Sequence, residues 1–138
     1  MSSQETSEFR ILICGGRDYD NRTYFFHFMD RVLETIRGTG ETPKRDMVII
    51  HGAARGADSL ADDYGRERGL RVIRYPADWN THKKAAGPIR NRLMLTDGKP
   101  HVIVAFEGGR GTANMIQQGK KAGVPVYEVK YVKTEHNV

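Results

Sequence analysis

The chain has 138 residues, and 22 basic against 17 acidic side chains give a net charge of +5 with neutral histidines. That length suits one domain with its own core, without disulfide or metal staples. The single cysteine, Cys14, excludes an internal disulfide, no apolar run approaches the roughly 20 residues of a membrane span, and the first nine residues lack a signal-peptide layout, so a cytoplasmic protein is expected.

Residues 1–8 are polar and read as a disordered tail. Phe9–Cys14 is a short apolar run entering Gly15-Gly16, the pattern of a buried strand followed by a tight turn. From Asn21 to Arg37, Phe25, Phe28, Met29, Val32, Leu33 and Ile36 recur at helical spacing. Gly38, Gly40 and Pro43 end that helix. Met47–Ile50 is a second strand, running into His51-Gly52, and Ala57, Leu60, Ala61 and Tyr64 mark a second helix that stops by Gly65–Gly69. Leu70–Tyr75 is a third strand, interrupted by Arg71 and Arg74. Pro76–Ala86 reads as a polar loop, and Pro88 sits in the first turn of a helix running to about Asp97. His101–Phe106 is a fourth strand, a helix follows the glycines of 108–111 to about Ala122, and Val124–Val132 is the last strand. Residues 133–138 form a polar tail, which leaves one domain over 9–132.

Strict alternation of near-continuous apolar strands with helices predicts an α/β fold, a parallel sheet covered on both faces. In such sheets a ligand sits beyond the carboxyl ends of the strands, where the strand order reverses. Three of those ends run into glycine: Cys14-Gly15-Gly16-Arg17-Asp18, His51-Gly52-Ala53-Ala54-Arg55-Gly56-Ala57-Asp58 and Glu107-Gly108-Gly109-Arg110-Gly111-Thr112. Glycine lets a ligand approach the backbone, and free N–H groups opening the next helix favour an anion, so a phosphate or pyrophosphate is the expected guest. A pI of about 9.5 is compatible with it. Neither a Walker motif nor a complete G-x-G-x-x-G is present, since position 114 is Asn.

Arg90 and Arg92 offer a phosphate clamp or a solvated helix face, and Trp79 a stacking platform or a packed loop residue. Asp18, Asp58 and Glu107 are the carboxylates available for work at a glycosidic carbon. Helix capping is the competing role for Asp58, and Asp18 in its turn stands ready to hold Arg17. Cys14 reads as a core residue rather than a nucleophile, His51 before Gly52 as a core or turn residue or a ligand contact at the strand end, and the histidines show no metal-ligand spacing.

Five ordered segments, I-C-G-G-R-D-Y at Ile13–Tyr19, H-G-A-A-R-G-A-D at His51–Asp58, A-D-W-N at Ala77–Asn80, A-A-G-P-I-R-N-R-L-M at Ala85–Met94 and A-F-E-G-G-R-G-T-A at Ala105–Ala113, resemble the YspA-like branch of the SLOG superfamily over roughly Arg10 to Val126. That superfamily includes the DNA-processing protein A and the Lonely guy (LOG) phosphoribohydrolases. The resemblance implies a single-domain modified Rossmann fold with a five-stranded parallel sheet, order 3-2-1-4-5. It also implies a nucleotide-derived ligand such as ADP-ribose, an NAD-like molecule or a nucleoside monophosphate. LOG enzymes carry P-G-G-x-G-T-x-x-E; here the proline position is Glu107 and the glutamate position is Met115. Arg90 stands where LOG carries a helical arginine, and Arg90-Asn91-Arg92 is similar to a segment of the DNA-processing branch.

The resulting expectation is a binding site of Gly15, Gly16, Arg17, Gly52, Arg55, Trp79, Arg90, Asn91, Gly108, Gly109, Arg110, Gly111 and Thr112, with no required cofactor or metal. Two other readings stand beside it. One is a nucleotide N-glycosidase using Asp18, Asp58 or Glu107; the other is a single-stranded nucleic-acid binder using Lys83, Lys84, Arg90, Arg92 and Trp79. The modest charge disfavours the second. The apolar stripe of the first helix is broad enough for a homodimer interface, and no membrane partner is expected.

Overall fold

The structure, a computed structural model, describes residues 8–38 and 46–130. Except for Glu8, both expected tails lie outside the described residues, as do positions 131 and 132 of the expected last strand. The elements are β1 (Glu8–Cys14), α1 (Arg22–Arg37), β2 (Asp46–His51), α2 (Ala57–Glu67), β3 (Arg71–Arg74), α3 (Trp79–His82), α4 (Ala86–Thr96), β4 (Val102–Ala105), α5 (Arg110–Lys121) and β5 (Val126–Glu128). The sheet order is β3-β2-β1-β4-β5 and every pairing is parallel.

The two-residue period of the strands sorts the core into two layers. Ile11, Ile13, Met47 and Ile49 face Phe25, Met29 and Leu33 of α1 and Ala57, Ala61 and Tyr64 of α2. Leu12, Cys14, Val48, Ile50, Ile103 and Ala105 face Met94 of α4 and Met115 of α5. β1 is central, with Ile11 paired to Ile49 on one side and Val102 on the other. Phe25 stacks on Phe106 with ring centroids 4.4 Å apart, which fastens α1 over the end of β4. Outside the core, Arg22 pairs with Asp63 and Glu67, and Arg68 pairs with Asp30, tying α1 to α2.

Element boundaries differ from the sequence reading in five places. The expected loop 76–86 holds the one-turn helix α3 and a 3₁₀ turn over Lys83–Ala85. Asp78 starts that helix, its side chain accepting from the Thr81 amide at 3.1 Å. α4 begins at Ala86, so Pro88 is its third residue, a position whose N–H has no helical partner to lose. β3 is limited to Arg71–Arg74, and β5 to Val126–Glu128. His101 precedes β4 rather than opening it; its Nδ1 accepts from the Arg10 amide at 2.9 Å and its ring stacks on Phe9.

Candidate functional site

The order of the sheet reverses between β1 and β4, so the turn after each strand borders the same crevice. The turns interlock through backbone. The Gly16 amide donates to the Glu107 carbonyl at 2.8 Å, and the Ala57 amide donates to the Gly16 carbonyl at 3.0 Å. A Cβ on Gly16 would stand 2.9 Å from both the Glu107 oxygen and the Gly108 Cα, so only glycine allows this approach. Gly56, with φ +79°, makes the left-handed turn that brings the loop after β2 against them.

Together these turns and α4 enclose a cleft of about 700 Å³. Cys14, Asp58, Met94 and Met115 form its floor; Gly15–Asp18 and Gly109–Thr112 form two walls; Arg90 and Asn91 form a third; Trp79 and Lys84 stand at the rim. The structure therefore brings together most of the expected site residues. Four stand apart. Gly52 and Arg55 line a neighbouring pocket with the loop after β3, and Glu107 and Gly108 line a shallow pocket on the β5 side. Of the three candidate carboxylates, Asp18 and Asp58 reach the cleft and Glu107 does not.

Several side chains act differently from the sequence reading. Asp18 is 95% exposed and pairs with Arg55 at 3.3 Å, not with Arg17. Arg17 lies over the Trp79 ring, 5.3 Å from its centroid. Arg90 is no free clamp: its guanidinium donates to the Gly52 carbonyl, to the Tyr75 carbonyl at 3.5 Å and to Asn91 Oδ1 at 2.9 Å, binding the loops after β2 and β3 to α4. Arg92 does not line the cleft. Asn91 is buried and donates to Asn114 Oδ1 at 3.0 Å and to the Gly111 carbonyl at 3.3 Å, which fixes α4 to the start of α5. Asn114, Met94 and Met115 were missed as lining residues; the signal for Met115 was its departure from the LOG glutamate.

Asp58 is 6% exposed and accepts from the Ala54 amide at 3.1 Å, closing the loop rather than capping α2, whose N-cap Gly56 has no side-chain bond. Burial raises its carboxyl above the usual range, against the pull of Ala54, His51 and Arg90. Burial also pushes the Cys14 thiol up, reinforced by Asp58, so Cys14 is a protonated floor residue and no nucleophile. Burial lowers the Arg90 guanidinium from its ordinary value, which Asp58 partly opposes. His51 is 2% exposed, its Nδ1 accepting from the Ala53 amide at 2.9 Å and its Nε2 donating to Asp62 at 2.8 Å. It braces the loop and does not face the cleft.

The cleft lining is electropositive. Among the described residues, Arg17, Lys84 and Arg110 line it without an ion pair, and Asp58 is its one carboxylate not engaged by a cation at salt-bridge distance. No three or more His, Cys, Asp and Glu side chains among the described residues are placed to hold a metal ion. No helix among them is long and apolar enough to cross a membrane.

Comparison with known proteins adds the family and confirms the fold. The profile of the YspA, cpYpsA-related SLOG family (YAcAr) matches residues 9–82. The Gene 61 protein of Mycobacterium phage D29 is 36% identical over 124 residues, 85% of this chain and 93% of that protein. A crystal structure of the protein designated TM1055 aligns with a TM-score of 0.60 at 16% identity, covering 86% of this chain and 72% of that one. The Moco carrier protein of Chlamydomonas reinhardtii aligns with a TM-score of 0.54, also at 16% identity, covering 88% of this chain and 76% of that one. These two similarities establish a common Rossmann-like fold.

Proposed function

The chain belongs to the YspA, cpYpsA-related SLOG family, and from that premise we propose that it binds a nucleotide-derived ligand in the cleft between β1 and β4. The ligand's phosphate or pyrophosphate rests on the N–H groups of Gly109–Thr112, where the dipole of α5 favours negative charge. Arg17, Lys84 and Arg110 supply the countercharge, Trp79 offers a ring face at the rim, and Asp58 accepts a ribose hydroxyl at the floor.

The observation that carries this reading is the character of Gly109 and Gly111. A Cβ at either would meet nothing within 4 Å, and neither has a positive φ. Packing therefore does not demand glycine at either position, and Gly111 lies within α5, where glycine costs roughly 1 kcal/mol relative to alanine. Close approach of a ligand to the backbone is the remaining physical use of the missing side chains.

Asp58 favours a second reading, hydrolysis of the ligand's N-glycosidic bond. It is the buried carboxylate on the cleft floor, and its raised affinity for a proton suits a general acid. Met115, only 1% exposed, stands where the LOG glutamate would be, so turnover would have to run through Asp58.

A thermal-shift panel of ADP-ribose, NAD, AMP, cyclic nucleotides and a short oligo-dT tests the binding. A ligand at 100 times its dissociation constant stabilises by about 2.7 kcal/mol, a shift of several degrees. Gly109→Val has open space for its side chain, so the fold survives and binding is lost. Unchanged affinity in that variant overturns the placement, stabilisation by oligo-dT alone favours nucleic acid, and base release that Asp58→Asn abolishes establishes the second reading.

A further inference from the structure

The cleft has a neighbour. A pocket of about 580 Å³ lies over the carboxyl ends of β2 and β3, between the turn after each strand. Arg17, Ala54, Trp79 and Arg90 line both cavities, so the two share a wall rather than lying on opposite sides of the molecule. Its own residues are Gly52, Ala53, Arg55, Pro76 and Ala77.

Three observations describe what this pocket takes. It is lined by three arginines, Arg17, Arg55 and Arg90, and by no carboxylate among the described residues. Of the acidic residues beside it, Asp18 reaches Arg55 through an exposed 3.3 Å pair that an incoming anion can replace, Asp58 lines the cleft and accepts from the Ala54 amide, and Asp78 accepts from the Thr81 amide of its own helix. Its back wall is a backbone held in an unfavourable form: Ala53 has φ +60°, and its amide is locked onto His51 Nδ1 at 2.9 Å. A non-glycine residue kept in the left-handed region by a buried partner marks a loop whose shape is in use. Between the cavities, Arg90 is anchored to the Gly52 and Tyr75 carbonyls and cannot swing, whereas Arg17 is an exposed side chain resting on Trp79.

We propose that this pocket is a second anion subsite, and that the ligand of the cleft carries two separated anionic groups, one on the start of α5 and one among Arg17, Arg55 and Arg90. This inference rests on the cleft being a phosphate site. The ligand class is then a nucleoside bisphosphate or another elongated bis-anionic molecule, its middle passing along the Arg17–Trp79 pair. A nucleoside monophosphate fills the cleft alone.

The test compares AMP with adenosine 3′,5′-bisphosphate by isothermal titration calorimetry at one ionic strength. The expected result is binding of both, with the bisphosphate about ten-fold tighter, the scale of a second charge-assisted contact. Ala77→Glu puts a carboxylate into the second pocket only; it removes that gain and leaves AMP affinity within about two-fold. Arg55→Ala also reduces the gain, and thermal melts of both variants check that the fold is intact. Equal affinities for the two nucleotides, or a gain that survives both substitutions, overturns the second subsite while the cleft reading stands. If neither nucleotide binds, the second subsite is overturned, and the cleft reading is decided separately by the thermal-shift panel.

Discussion

The guanidinium of Arg17 lies 5.3 Å from the ring centroid of Trp79, joining the turn after β1 to the one-turn helix α3 across the mouth of the cleft. The pair is built from exposed residues, Trp79 being 45% accessible, and it rests on no other cation or carboxylate among the described residues. It is therefore a contact that a ligand can displace or sandwich, and Trp79 stands at the start of α3, directly after Asp78, whose side chain accepts from the Thr81 amide.

Trp79 is the only tryptophan of the chain, so its emission reports on the cleft without labelling. Titration with a nucleotide ligand is expected to change its intensity or wavelength. Arg17→Ala is expected to weaken a phosphorylated ligand by about ten-fold, the cost of one charge-assisted contact. Its melting temperature stays close to that of the parent, because the side chain is exposed. Fluorescence titration beside a thermal melt checks both; an unchanged dissociation constant removes Arg17 from the site.

The glycines of the three turns divide into two kinds, which denaturant unfolding will separate. Alanine at Gly16 pushes into the Glu107 and Gly108 backbone at 2.9 Å, and alanine at Gly56 must adopt φ +79°. Each is expected to cost about 1–3 kcal/mol, measured as a lower urea midpoint. Gly111→Ala enters open space within α5 and is expected to be neutral or to stabilise by about 0.4–1 kcal/mol. Comparable losses at Gly16 and Gly111 would show that the distinction is wrong.

The sheet was legible because its strands are continuous apolar runs and its helices carry an apolar face, both set by local sequence. The position of the cleft followed from strand order, and its glycines from where those strands end. α3 was not legible, since four residues are too few to show a helical period; Asp78, three residues ahead of Thr81, was its only sign. The fate of Arg90 was not legible either. Its guanidinium bonds carbonyls 38 and 15 residues away, a relation that no spacing encodes. Likewise Asp18 chose Arg55, 37 residues distant, over adjacent Arg17, and Glu107 left the crevice because the direction of a turn side chain depends on the backbone around it.

Asp58 and Asp62 sit one helical turn apart on α2, and their effects on stability run in opposite directions with pH. Asp62 is partly buried, which raises its carboxyl, but hydrogen bonds from Arg74, His51 and Arg66 outweigh this and hold it well below the usual range. A depressed folded value means stability that is fully present above the unfolded value of about 3.9 and is lost as the pH falls below it. Asp62→Asn is therefore expected to lower stability at pH 7 by about 1–2 kcal/mol, with the difference from the parent shrinking in acid. Asp58 has the reverse sign. Burial raises its folded value, so its contribution is most favourable below the unfolded value and is lost as the pH rises through the raised one. Asp58→Asn removes that penalty while keeping an acceptor for the Ala54 amide, and is expected to be as stable as the parent or more so at pH 7. Urea unfolding of both variants from about pH 2 to pH 8 gives the two slopes, that of Asp62 below the unfolded value and that of Asp58 above it. If the cleft binds a nucleotide as proposed, Asp58 on its floor accepts from the ligand, so Asp58→Asn is expected to weaken nucleotide binding in the same pH range where it leaves the fold unharmed. Binding unaffected by the substitution would return Asp58 to a purely structural role as the acceptor for Ala54.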